Sequence, residues 1–174
     1  MVGSARLGNV TVGWEEGVRL INDCEYLFVE SVRESEALTL ELTVTEAKPQ
    51  ARINVPRSES AIEALRTGSK TIEKDSTCRL FRLIFISNHM VSCSVLNECY
   101  GGYPEPPEQF TGNLFRVFTW SHLLEFTKRT TCVSDEYPGV LQHYQIVCLN
   151  HIVDVICTAP PRITIDNGAA DVVQ

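Results

Sequence analysis

The stretch "ALTLELTVTE" (37–46) alternates apolar and polar residues without a break. Leu38, Leu40, Leu42 and Val44 fall on one side of an extended chain, and Thr39, Glu41, Thr43 and Thr45 on the other. A period of two marks a strand with one face on a core and one in water. It is incompatible with an amphipathic helix, which would repeat near 3.6. Further strand-like runs lie at about 78–87, 90–100, 114–120, 140–149 and 152–158, and "NVTVGW" (9–14) is a short candidate. "CEYLFVESVR" (24–33) is apolar on both faces near its middle, so it is expected to pair more centrally than 37–46.

Two segments read as helices. In "SESAIEALRTG" (58–68), Ser60 and Glu63 have capping-box spacing and Gly68 stands where a helix stops, which predicts a helix over about 59–67. "SHLLEFTKRTT" (121–131) predicts a second over about 122–131. Ser121 is its expected N-cap, with Glu125 in its first half and Lys128 and Arg129 near its end, as the helix dipole favours. The expected class is α+β and β-rich: a mostly antiparallel sheet, able to close partly into a barrel, with these two short helices.

A chain of 174 residues fits one domain, 1–174, with the polar stretch 166–174 expected to be a flexible tail. The hydrophobic fraction of 44% and charged fraction of 21% are those of a globular protein. A net charge of −7 disfavours nucleic acid and suits a basic protein partner. No apolar run approaches the roughly 18 residues of a membrane span. "MVGSARLGNV" does not read as a signal peptide, so a cytoplasmic location is expected. The seven cysteines include no CxxC, and six of them sit in strand-like runs as small buried hydrophobes. No close pair of metal ligands, Walker loop, GxGxxG or GxSxG occurs, so neither cofactor nor metal is expected and enzymatic activity is disfavoured.

One phrase is written twice, as "IFISNHMV" (84–91) and "IVCLNHIV" (146–153). Asn and His both tolerate the positive φ of a tight hairpin, so Asn88-His89 and Asn150-His151 read as two-residue turns. The first hairpin then sets Arg79 opposite Glu98, and Cys78 opposite Cys99 at a separation a disulfide could span. The second sets Val147 opposite Asp154 and leaves His143 four residues away along the strand, too far to bond Asp154. Asp154 lies among apolar neighbours and needs a partner, with Gln145, a neighbouring strand, the loops or water as the candidates.

The loop "YGGYPEPPEQF" (100–110) offers Tyr100, Tyr103, Glu105 and Phe110 on a stiff, acidic segment. With the acidic balance, it points to a non-enzymatic binding protein of the inhibitor or immunity type, acting on a protein partner. The alternative is a ligand-binding or enzymatic barrel with a polar pocket around Asp154 and Glu98, joined by His143 and Arg116. The 37–46 strand, read as an exposed edge, could also pair with its own copy to form a homodimer.

Overall fold

The computed structural model describes residues 9–37, 39–49, 72–86, 90–100 and 104–167. The expected helix at 59–67 and the stretch 168–174 of the expected tail lie outside them, as do Asn88 and His89. The chain runs β1 (Val10–Val12), α1 (Trp14–Asn22), β2 (Tyr26–Glu36), β3 (Thr39–Pro49), β4 (Ile72–Glu73), β5 (Leu80–Phe85) and β6 (Met90–Leu96). It continues through β7 (Gln109–Thr111), β8 (Phe115–Trp120), α2 (His122–Thr130), β9 (Gln142–Val147), β10 (Ile152–Cys157) and β11 (Arg162–Asp166). The protein is β-rich α+β, with two antiparallel sheets and no closed barrel. The first sheet has the order β1-β11-β5-β3-β2, with β4 on the end of β3, and the second has the order β6-β10-β9-β8-β7.

The two sheets bury a common core. Leu40, Leu42 and Val44 of β3, Phe81, Leu83 and Phe85 of β5, and Ile163 and Ile165 of β11 form one wall. Phe115, Tyr144, Ile146, Val153 and Val155 form the other. Each such side chain contributes about 1.5–3 kcal/mol by leaving water. The alternation of 37–46 therefore names Leu40, Leu42 and Val44 as core correctly, with Leu38 outside the described residues, but not the strand's place in the sheet. β3 is central, between β2 and β5, and β2 is the edge, the reverse of the expected order. The polar side of β3 is not wet either: Thr39, Glu41 and Thr43 are 8%, 6% and 9% exposed. Arg33 Nη2 reaches Glu41 Oε1 from one flank at 2.8 Å. Arg82 Nε approaches the same oxygen from the other flank at 3.1 Å, an ion pair without hydrogen-bond alignment. A strand flanked on both sides leaves no edge at 37–46 for a second copy to extend.

The first expected hairpin is not formed. β5 pairs with β3 and β11 in one sheet, while β6 pairs with β10 in the other. Arg79 grips Glu46 rather than Glu98. Cys78 is buried, Cys99 is exposed, and both are free thiols.

Helix α1 was not anticipated, although Trp14, Val18 and Ile21 carry its apolar stripe at helical spacing, with Glu15 and Glu16 in the first turn. Gly17 lets it lie close on β11, where an added Cβ would meet Ile163 Cδ1 at 2.7 Å. Trp14 stands edge-on to Phe115 and Tyr144, with ring centres 5.5 Å from each. At the helix end, Asn22 Oδ1 accepts the backbone N–H groups of Asn113, Leu114 and Phe115 at 2.8–2.9 Å. Its Nδ2 donates to Val18 O and Phe115 O, both at 3.1 Å. One carboxamide thus fixes the β7–β8 turn.

The β9–β10 hairpin exists, but its turn sits one residue earlier than expected. Cys148 N–H donates to His151 O at 2.9 Å, which puts Leu149-Asn150 at the tip. The tip docks on the other sheet, where β2 carries a bulge between Val29 and Ser31. Asn150 Oδ1 accepts from Val29 N at 2.9 Å, Nδ2 donates to Val29 O at 3.0 Å, and Leu149 N–H donates to Leu27 O at 2.8 Å. Asn150 is thereby a stand-in for a strand residue. Asn150→Ala strands a partly buried N–H and C=O and is expected to cost about 2 kcal/mol in urea unfolding. A loss under about 0.5 kcal/mol, the range of an ordinary surface substitution, would show that water replaces the clamp freely.

Candidate functional site

Moving the turn by one residue moves the pairing by two and keeps every side chain on its face. Asp154 consequently faces Gln145, and His143 faces Ile156. His143 and Asp154 become diagonal neighbours, a geometry within reach of long side chains. His143 Nε2 lies 3.0 Å from Asp154 Oδ1, so the separation expected from the earlier register is overturned. Gln145, one of the candidate partners read from sequence, donates from Nε2 to the same oxygen at 2.8 Å. Ser94 of β6, directly across from Asp154, approaches Oδ2 at 3.4 Å.

These residues lie on the face of the second sheet turned away from the core. Helix α2 folds back over one end of that face, where Leu124 packs with Leu141 and Ile156. Ser121 is its N-cap, as expected, and its hydroxyl oxygen accepts from Leu124 N at 3.1 Å. That leaves the hydroxyl proton for His143 Nδ1, 2.7 Å away. With Nδ1 accepting, the neutral ring carries its proton on Nε2 and gives it to Asp154. Phe118 stacks on the ring with centres 4.1 Å apart, and His143 is 2% exposed.

A second chain of bonds reaches Asp154 from the opposite side. Arg116 Nη1 donates to Gln145 Oε1 at 3.0 Å. A guanidinium has only donors, so Gln145 must present its oxygen to Arg116 and its NH₂ to Asp154. Arg116 is itself placed by Asn113 O, which accepts from Nε at 3.0 Å, and by the Phe110 ring, 4.6 Å away. Both chains run in one sense, and every donor in them points towards Asp154.

Ser121, His143 and Asp154 are hydrogen-bonded in series, the residue set of an acyl-transfer triad, but turned around. Ser121 is completely buried and committed to capping α2, and the carboxylate is the member that meets open space. The serine has no access to a substrate carbonyl.

Beyond the end of α2 the sheet face opens into a cavity of about 690 Å³. Asp154, Gln145, Ser94, His143 and Arg116 line its floor with Leu96, Val147 and Ile152 of the same sheet face, and Leu123 of α2 lies beside them. Glu98, Pro104, Glu108 and His122 complete its lining. The 104–108 segment is tied down there, with Glu108 Oε1 accepting His122 N–H at 2.9 Å and His122 Nε2 donating to Pro106 O at 2.9 Å.

Of the residues singled out from sequence, Glu98, Arg116, His143 and Asp154 come together in this cavity. Phe110 stands behind Arg116, half-exposed at the edge of the sheet, and Glu105 is an exposed loop residue. Tyr100 ends the 3-10 turn Glu98–Tyr100, while its side chain and the whole of Tyr103 lie outside the described residues. Ser94, Glu108 and the Ser121–His143 link were missed. Ser94 had a usable signal, because it alternates with Cys93 and Val95 on a strand.

The cysteines take no part in the floor. Burial pushes the Cys148 and Cys157 thiols up to about 12 and Cys24 up to about 11. Exposed Cys99 donates to Glu98 Oε1 at 3.1 Å, and the bond to that carboxylate raises its pKa too. Among the described residues no group of three His, Cys, Asp or Glu side chains could hold a metal ion, and no helix is long and apolar enough to cross a membrane. Comparison with protein-family models, with curated proteins and with solved structures finds no match to this chain.

Proposed function

We propose that this protein binds a small molecule in the cavity over Asp154. The observation that carries the reading is the convergence of two oriented hydrogen-bond chains on one buried carboxylate at a cavity floor. Such preorganisation suits recognition, because the polar groups are already placed when the ligand arrives. Of the two functions expected from sequence, the polar pocket around Asp154 and Glu98 receives this support. The 104–108 segment, expected to face a protein partner, contributes Pro104 and Glu108 to the cavity.

The test is a thermal-shift screen of small polar compounds against the protein and its Val147→Trp variant, in which an indole fills space above the floor. A ligand at about a hundred times its Kd adds about 2.7 kcal/mol, which raises Tm by roughly 5–10 °C in a chain of this size. Compounds that shift the protein but not Val147→Trp are the expected result. A screen without hits, or hits that ignore Val147→Trp, would remove the cavity from consideration.

A further inference from the structure

We infer that the ligand class is a linear aliphatic diamine, seated with one ammonium on Asp154 and the other at Glu98. This rests on the cavity being a binding site and names what it takes. Asp154 is 5% exposed, and its Oδ1 already accepts two bonds, from His143 and Gln145. Among the described residues its Oδ2 has only the long 3.4 Å approach of the Ser94 hydroxyl. A buried carboxylate oxygen left with one weak donor calls for a further donor, and an ammonium brings both the donor and the opposite charge.

The register places the remainder of the ligand. Ser94 faces Asp154, and two pairs further along, on the same face, Leu96 faces Ile152, which in turn faces Val147. Three apolar side chains thus cross the sheet in a row beside the carboxylate. Glu98 lies four residues beyond Ser94, up to about 13 Å at 3.3 Å per residue, and it lines the cavity. Carboxylate, apolar row, carboxylate is complementary to ammonium, methylene chain, ammonium. Arg116, a cation in the same lining, is held by Gln145, by Asn113 O and by the Phe110 face. A dicarboxylate would meet Asp154, Glu98 and Glu108, and like charges at such a site exclude it.

Isothermal titration calorimetry of the full chain with hexamethylenediamine, hexamethylene glycol and adipate separates the cases. The diamine is expected to bind, and the glycol and adipate are not. Asp154→Asn should weaken the diamine by roughly thirtyfold or more, the cost of removing one partner of a buried charge pair. Glu98→Gln, on an exposed residue that does not threaten folding, should weaken it by about two- to fivefold. Val147→Trp should abolish binding, whereas general attraction of amines to an acidic surface would survive it. Glycol that binds as tightly as the diamine and is lost in Val147→Trp would overturn the diamine assignment and leave the cavity reading standing. No binding of any probe, an unchanged affinity in Glu98→Gln, or diamine binding that persists in Val147→Trp overturns the inference.

Discussion

Replacing Arg79 by Met is expected to destabilise the protein by about 3–5 kcal/mol at neutral pH, the cost of leaving a buried charge without its partner. Arg79 Nε and Nη2 hold the two oxygens of Glu46 in a parallel fork, each at 3.0 Å, and its backbone N–H adds a bond at 3.2 Å. The Glu46 side chain is 7% exposed, and among the described residues the loss of the Arg79 side chain would leave it the backbone N–H of residue 79, at 3.2 Å, and Lys48, at 3.8 Å. Burial alone would raise the Glu46 pKa, but the side-chain and backbone hydrogen bonds from Arg79 outweigh it and hold the carboxyl below its usual range. A depressed folded-state pKa means stability that is present above the unfolded value, about 4.3, and is lost as pH falls through the folded one. In Arg79→Met the side-chain bonds and the guanidinium charge are lost while the backbone bond stays, so the balance moves towards burial and protonation of Glu46 costs the variant less than the parent. Urea unfolding at pH 7 and near pH 4.5 should therefore show a penalty that shrinks on acidification. Adding Glu46→Leu should recover much of the loss. A penalty equal at both pH values would mean that Arg79 acts by packing its stem and not by its charge.

Gly112→Ala should cost about 3 kcal/mol or more, because two penalties meet at one atom. Gly112 has φ +89°, and a Cβ there would stand 2.0 Å from the backbone oxygen of Phe115. The turn cannot move aside cheaply, since Asn22 holds the next three backbone N–H groups. If the turn yields, the Asn22 bonds go with it and the Asn113 carbonyl that positions Arg116 shifts. The variant should thus lose stability in urea and also weaken any ligand that depends on the Arg116–Gln145 orientation. A stability change below about 1 kcal/mol would show a turn that relaxes without cost.

Much of the fold was legible where a local pattern decides it. Ser121 and the charges of its helix announce α2, and the period-two run of 37–46 names the core face of β3. Partners were less legible, because alternation tells which way a side chain points and not which strand lies alongside. Arg79 opposite Glu98 looked like independent support for a hairpin, yet the carboxylate that Arg79 holds comes from β3, far earlier in the chain. Glu41 and its threonines read as wet because sequence does not show Arg33 and Arg82 closing over them. The site was nearly missed for a similar reason. Asn150 was read correctly as a turn residue, but its carboxamide is drawn across the sandwich to Val29, and the resulting two-residue slip brings His143 to Asp154. β11 was passed over although Ile163 and Ile165 alternate with Arg162, Thr164 and Asp166.

The place of β11 bears on how the chain can be made. Residues 10–85 supply every strand of the first sheet except this one, and 90–157 supply the whole of the second. β11, the last described strand to leave the ribosome, enters between β1 and β5, and β1 has no partner in its sheet until it arrives. During synthesis, therefore, β5 presents an unpaired edge beside Phe81, Leu83 and Phe85 while both flanking sequences are already complete. Emerging chains with such an edge are open to wrong pairings. The fold becomes safe from them only when Ile163 and Ile165 reach the core.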